Sequence, residues 1–263
     1  MDGCVTVLQN FSDSGAFPGR VTSGFKIISW NLLRLVGAGV EDVAHLIRQH
    51  RPDLLVMQEA TKDLTALPSL VGGHFYREPL HGRVYGLAAW SPHPIPRPQV
   101  LPLPVSTMPG RVPPRLAQII RLGGVTFANV HLSHGQFLNR RQLLYIARFL
   151  VGPAAIIGDY NAVGPVKLPG FKDLGPRQTT HSPTNVISFR LDRCMGRGLQ
   201  CASKQVLQRG PSDHHPIFLD LRLDAGENAP TKRARSHSFI KRRAKHLVDK
   251  ASRLSASSKR RRA

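Results

Sequence analysis

Apolar positions along the chain gather in short runs of differing period, and their order predicts alternating strands and helices. Residues 25–30 (Phe-Lys-Ile-Ile-Ser-Trp) read as a strand. Val40, Val43, Ala44 and Ile47 then recur at helical spacing over 40–50, and Arg51-Pro52-Asp53 closes that helix. Residues 54–57 (Leu-Leu-Val-Met) are a continuous apolar run, the pattern of a strand covered on both faces. Residues 73–77 and 86–90 predict a hairpin-like pair, and nine prolines within 92–114 predict a long surface loop. A second hairpin follows, with 116–121 and 125–132 joined by Gly123-Gly124. Leu143, Leu144, Ile146, Ala147 and Leu150 give helical spacing over 139–150, ended by Gly152-Pro153. Residues 154–157 are another buried strand, 162–190 are loop-rich, and 216–223 form a last strand with Ile217, Leu219 and Leu221 on one face. Hairpins interrupting the alternation exclude a purely parallel sheet and predict two packed sheets with helices outside.

Four polar clusters stand where apolar runs end: Trp30-Asn31, Gln58-Glu59, Gly158-Asp159-Tyr160-Asn161, and Asp213-His214-His215 inside the turn 210–216. His131 ends a further strand. Strand ends are where a rigid sheet can gather side chains from distant parts of a chain. Alone, an Asp after a strand is usually a turn or cap residue, and a lone His is usually structural. The joint pattern of residue type, order and position is what carries meaning. Hydrolysis of a phosphodiester needs a divalent cation to neutralise non-bridging oxygens, a base for water and a donor for the departing oxygen. Glu59, Asp159, Asp192 and Asp213 offer carboxylates, the donors magnesium prefers, with manganese as a substitute. Asn31 and Asn161 offer amides, and His131 and His214 can donate to phosphate or to a leaving group. Arg140 and Arg141 at a helix start, and Arg193 and Arg197 near Asp192, serve either a substrate phosphate or a solvated face.

The set Ile28-Ser29-Trp30-Asn31, Pro52-Asp53-Leu54-Leu55-Val56-Met57-Gln58-Glu59, Asn129-Val130-His131-Leu132, Gly158-Asp159-Tyr160-Asn161, Arg190-Leu191-Asp192 and Ser212-Asp213-His214-His215-Pro216 resembles the DNase-I-like endonuclease/exonuclease/phosphatase superfamily. The resemblance spans roughly residues 25–223 and implies an α/β fold: a four-layer αββα sandwich of two mixed β-sheets flanked by helices. It implies that Glu59 is the principal metal ligand, helped by Asn31 and Asp213. It further implies that Asp159 orients or deprotonates the attacking water, with Asn161 in the phosphate region. His214, oriented by Asp192, would contact the scissile phosphate, and His131 would act on the leaving-group side. The chain departs from the pattern at Leu32-Leu33-Arg34, where several nuclease branches carry an acid just after the asparagine.

Charge sharpens the substrate class. The chain of 263 residues holds 37 Lys and Arg against 16 acids, a net charge of +21. Residues 231–263 carry thirteen of those cations and one acid (Asp249), a charge of +12 that leaves +9 for the remainder. Both parts suit a polyanion: nucleic acid, DNA ahead of RNA, or an anionic membrane surface. In the tail Phe239, Ile240, Ala244, Leu247, Val248, Ala251 and Leu254 recur at helical spacing among cations, so 224–263 is either a disordered extension or a basic amphipathic helix. The expected organisation is an arm over 1–24, a domain over 25–223 and that tail. Cys4, Cys194 and Cys201 lack metal-ligand spacing and read as thiols of a reducing compartment. No secretory signal or apolar stretch of spanning length is seen, so a cytoplasmic protein is expected. The leading reading is a magnesium-dependent phosphodiester hydrolase acting on DNA. The alternatives are a lipid or small-molecule phosphodiesterase with the tail as membrane anchor, and a non-catalytic nucleic-acid-binding module on the same fold.

Overall fold

A computed structural model of the chain describes residues 24–106, 113–184 and 187–224. The expected N-terminal arm and basic tail lie outside the described residues. The first compact unit closes at Asp224. No described helix is long and apolar enough to cross a membrane.

The elements run β1 (Phe25–Asn31), α1 (Val40–His50), β2 (Leu54–Ala60), a 3-10 turn (Lys62–Ala66), α2 (Leu67–Val71), β3 (His74–Pro79), β4 (Gly86–Ser91), β5 (Gln99–Pro102), β6 (Leu116–Leu122), β7 (Val125–His131), α3 (Gln136–Phe149), β8 (Ala154–Asp159), β9 (Lys172–Asp173), β10 (His181–Thr184), β11 (Ile187–Phe189), β12 (Asp192–Arg197), β13 (Leu199–Val206) and β14 (Ile217–Leu223). Among the described residues they form two six-stranded sheets, β13-β14-β1-β2-β4-β3 and β5-β6-β7-β8-β12-β9, and a small β10-β11 ribbon. Both large sheets are mixed. β1 and β2 pair parallel around α1, β7 and β8 pair parallel around α3, and the other pairings are antiparallel.

Successive residues of one strand serve different layers, which is why the runs look continuously apolar. Ile27, Leu54, Val56, Phe127, Ala155 and Ile157 meet between the two sheets, with Phe25 edge-on to Phe127. Their neighbours Ile28, Leu55 and Met57 face outward onto Val43, Ala44 and Ile47 of α1. On the far side Ala128, Val130, Ala154 and Ile156 face Leu143, Ile146 and Leu150 of α3. Three apolar clusters thus fill the three spaces of an αββα sandwich. At about 1.5–3 kcal/mol per fully buried large aliphatic or aromatic side chain, these layers are the main favourable term for the fold.

A polar link crosses the core between the sheets. Gln58 Nε2 donates to Asn129 Oδ1 at 2.8 Å and to Ser29 Oγ at 3.2 Å. Asn129 Nδ2 in turn donates to the carbonyls of Met57 and Ala88 and to Gln118 Oε1, at 3.0–3.2 Å.

Three features depart from the sequence reading. The proline-rich segment contains β5, which pairs with β6 at the sheet edge, where a proline's missing N–H costs little. α3 starts at Gln136, three residues earlier than the apolar spacing shows. β12 and β13 were not anticipated. β12 mixes charged residues with a glycine, and β13 is an edge strand whose side chains are mostly exposed, so neither shows a clean period.

Candidate active site

The parallel pairing of β1 with β2 sets Asn31 opposite Gln58, so Glu59 lies one residue beyond. The pairing of β7 with β8 sets His131 opposite Asp159, and β12 places Asp192 opposite Asp159 on the other side. The two sheets therefore bring Asn31 and Glu59 from one and His131, Asp159 and Asp192 from the other to the same end of the sandwich. Gly158 makes the close approach possible. Its φ is +143°, and a Cβ there would lie 2.0 Å from the Val130 carbonyl oxygen.

Asp159 is the hub. Its Oδ2 accepts from Asn31 Nδ2 at 3.0 Å, across the two sheets, and its Oδ1 accepts from the backbone N–H of Asn161 at 2.8 Å. His131 Nε2 and His214 Nε2 stand 3.5 and 3.9 Å from Oδ2. Burial opposes the carboxylate's charge, but the His214 imidazolium, with the hydrogen bonds from Asn161 and Asn31, outweighs it and holds the Asp159 pKa below its ordinary value. Asn161, itself in the left-handed region at φ 48°, donates Nδ2 to the Leu132 carbonyl.

The two histidines are in opposite states. Burial pushes His131 down to about 3, against the Asp159 charge, so its ring is neutral. Burial acts on His214 in the same sense, yet Asp192, at 2.8 Å from Nδ1, together with Asp159 and Asp213, raises it to about 9. His214 is thus an imidazolium whose Nδ1–H is held by Asp192 and whose Nε2–H is left for another acceptor. Asp192 is fixed through its backbone, since its N–H and that of Leu191 both donate to Thr180 Oγ1. The 212–214 turn is tied to the end of β1: Ser212 Oγ donates to the Asn31 carbonyl at 2.7 Å, and the Trp30 indole donates to the His214 carbonyl at 3.0 Å.

Glu59 sits at an irregularity of β2 in the left-handed region, φ 57°, a conformation that re-aims a strand-end side chain. Its Oε2 accepts from Arg34 Nη1 at 2.8 Å and from the Arg34 backbone N–H at 3.2 Å. Arg34 also lies over the Tyr85 ring, 4.6 Å from its centroid. Asp213 Oδ2 lies 3.3 Å from His181 Nε2. The His181 ring lies 4.4 Å from that of His214.

Of the basic residues named from sequence, Arg193 donates to the carbonyls of Ala162, Gly164 and Arg190, and Arg197 to those of Leu150 and Gly152, so both brace loops. Arg140 and Arg141 are exposed on α3. Sequence reasoning passed over Arg34, Arg115, Thr180 and His181. Only Arg34 had a visible signal, as a cation where an acid is usual.

Two donor sets could hold a cation. Glu59 and Asn31 at adjacent strand ends offer hard oxygens, which fit magnesium or manganese. The ligand atoms of His181, Asp213 and His214 lie within 4.8 Å of one another. That set is nitrogen-rich, and a protonated His214 repels a cation, so the oxygen set fits better.

Fold and site together define a hydrolase of phosphoester bonds built on two mixed sheets. The chain belongs to the endonuclease/exonuclease/phosphatase family, whose model matches residues 28–214. Enzymes of this family are metal-dependent hydrolases acting on phosphoester bonds. No curated protein matches the chain by sequence. Solved structures similar to it include a functionally unknown conserved protein from Enterococcus faecalis (20% identity, TM-score 0.62, covering 75% of this chain and 99% of that one). Truncated TDP2 from Caenorhabditis elegans is similar at 20% identity and TM-score 0.58, covering 76% and 97% of the two chains. A mannosyl-6-phosphatase from Bacteroides thetaiotaomicron is similar at 17% identity and TM-score 0.61, covering 75% and 99%. These likenesses are of fold.

Proposed function

We propose that the chain is a magnesium-dependent phosphodiesterase that cleaves nucleic acid, DNA ahead of RNA. The observation that carries the reading is the cross-sheet cluster in which Asp159 is held as a carboxylate beside a His214 imidazolium oriented by Asp192. Asp159, with both oxygens anchored, orients water and takes its proton. His214 donates Nε2–H to a non-bridging phosphate oxygen, where negative charge grows as the bond breaks. His131, neutral and buried beside Asp159, offers a hydrogen bond on the leaving-group side without adding a second positive charge. Glu59 and Asn31 would hold the metal, and Asp213 would act through its contact with His181. When bound, the metal supplies charge neutralisation for the phosphate and a lowered pKa for water. The net charge of +21 favours a polyanionic substrate.

A second reading has its own support. Leu35, Val36 and Val163 are exposed apolar residues on the loops that follow β1 and β8, and Phe137 is exposed at the start of α3 after β7; these are the strands bearing Asn31, Asp159 and His131. Such a rim suits a phosphoester with an apolar portion, such as a lipid headgroup.

Plasmid DNA, abasic duplex, RNA, sphingomyelin and inositol phosphates incubated with magnesium, and again with chelator, separate the two. Chelator-sensitive turnover of the nucleic acids is expected. In Asp159→Asn and His214→Gln it falls by about 10²–10⁴-fold with the fold retained. Full activity in either variant, or turnover confined to the lipid, overturns the nuclease reading.

A further inference from the structure

His181 opens β10 and is pinned through the backbone to the turn that carries Asp213 and His214. It forms an isolated antiparallel bridge with His214. The Ser182 N–H donates to the Asp213 carbonyl at 2.9 Å, and the His215 N–H to the Thr180 carbonyl at 2.7 Å. The bridge sets the two imidazoles side by side, centroids 4.4 Å apart, and the Phe189 ring stacks on that of His181. One ligand atom from each of His181, Asp213 and His214 falls within 4.8 Å of the others, and the His181–Asp213 pair stands at 3.3 Å. Two ligands of one tetrahedral zinc, bound at about 2.0–2.1 Å, stand about 3.3 Å apart. The pair is therefore already at zinc spacing, and a side-chain shift of roughly 1–1.5 Å brings in His214. Asp213 Oδ1 and His181 Nδ1 are buried with no hydrogen-bond partner among the described residues. A carboxylate oxygen left so is costly, and a cation on Asp213 satisfies it. His214 Nδ1 is engaged by Asp192 at 2.8 Å, which leaves Nε2 to face a metal. Carboxylate, imidazole and metal in that order fix the tautomer and the ring of a metal-binding histidine. Asp159 Oδ2, 3.9 Å from the same Nε2, adds negative charge nearby. His181 and Asp213 are partly exposed, which gives a cation its way in and leaves a fourth position to water.

We infer that His181, Asp213 and His214 form a zinc site, separate from the oxygen donors of Glu59 and Asn31, and that zinc bound there switches the hydrolase off. Two imidazoles and a carboxylate suit zinc, whereas magnesium prefers oxygen alone. Zinc takes an imidazole nitrogen in place of its proton. On His214 Nε2 it occupies the nitrogen that otherwise donates to the phosphate oxygen, while Glu59 and Asn31 keep their magnesium. The switching-off rests on the phosphodiesterase reading; the zinc site does not.

The test uses the full chain with zinc chloride as probe, in saturating magnesium and phosphate-free buffer. Calorimetry should show zinc affinity at least about tenfold weaker in His181→Gln than in wild type. Glu59→Gln should bind zinc within about twofold of wild type, since the site uses other donors. In magnesium-supported cleavage of plasmid DNA, the zinc concentration that halves each protein's own rate should rise at least about tenfold in His181→Gln. Zinc affinity unchanged in His181→Gln overturns the inference, as does an equal loss in Glu59→Gln, which would put zinc on the oxygen set. If His181→Gln does not fold, cobalt(II) added to the wild-type chain answers alone. The intense visible absorption of tetrahedral cobalt supports the site, and the weak absorption of octahedral cobalt overturns it. Zinc binding that depends on His181, in a chain inert toward every substrate of the panel, leaves the site standing and sinks the enzymatic reading. Zinc inhibition undiminished in His181→Gln, in a chain that cleaves plasmid DNA, does the reverse.

Discussion

Asp159 lies between a neutral and a charged imidazole, and the contrast gives the site two opposite responses to pH. His131 has a folded-state pKa of about 3 against an ordinary 6.5. The unfolded chain therefore takes up a proton that the folded chain refuses, and stability is lost as pH falls from about 6.5 toward 3. His214, raised to about 9, contributes stability that is complete below about 6.5 and is lost as pH rises to about 9. Urea unfolding of the metal-free protein at pH 7, 5.5 and 4.5 should show the acid-side loss, and His131→Asn should flatten it. Asp192→Asn removes the partner that keeps His214 charged. It should lower turnover by about 10²-fold or more and move the alkaline limb of the pH–rate profile to lower pH; an unmoved limb would count against the pairing. At this scale the sequence offered Asn31, Glu59, His131 and Asp159 as candidates because each polar residue ends an apolar run, and Asp192 and His214 through the motifs that carry the family resemblance. Arg115 was invisible, since an arginine after two prolines looks like a loop cation until its burial is known. His181 and Thr180 were hidden for the same reason, inside a stretch that reads as loop.

Strand ends hold the site, so element-level geometry decides whether it forms. The apolar runs announced β1, β2, β7 and β8 because each is covered on both faces, and helical spacing announced α1 over its full length. The edge strands β5 and β13 did not announce themselves: both are solvent-facing, so no burial pattern constrains their composition. Within β8, Gly158 is the position least able to accept a side chain. Gly158→Ala should destabilise the domain by ~3 kcal/mol or more, since the new Cβ would meet the Val130 carbonyl at 2.0 Å. Turnover should fall with it, as Asp159 is the next residue, and thermal melts of the purified variant check both. Wild-type stability would show that β7 and β8 have more room than the structure gives them.

At the scale of the whole molecule, the nucleic-acid reading proposed above predicts two sources of substrate affinity: the site, and the +12 charge carried by residues 231–263. Removing 225–263 leaves the first compact unit intact. The truncated chain should keep its turnover of a small phosphodiester yet bind duplex DNA more weakly, with a shallower dependence of log affinity on log salt. An unchanged salt slope would show that the tail does not contact DNA. The link between the 212–214 turn and β1 has a consequence in time. The hydrogen bonds from Trp30 to His214 and from Ser212 to Asn31 join residues 184 and 181 positions apart. Contacts of such separation close late, after local hairpins and helices have formed. A refolding chain should therefore regain its circular dichroism before its first turnover. A ribosome-bound chain lacking the 212–214 turn would carry most of the sandwich and no hydrolytic activity, so the enzyme cannot act until its synthesis has passed that turn.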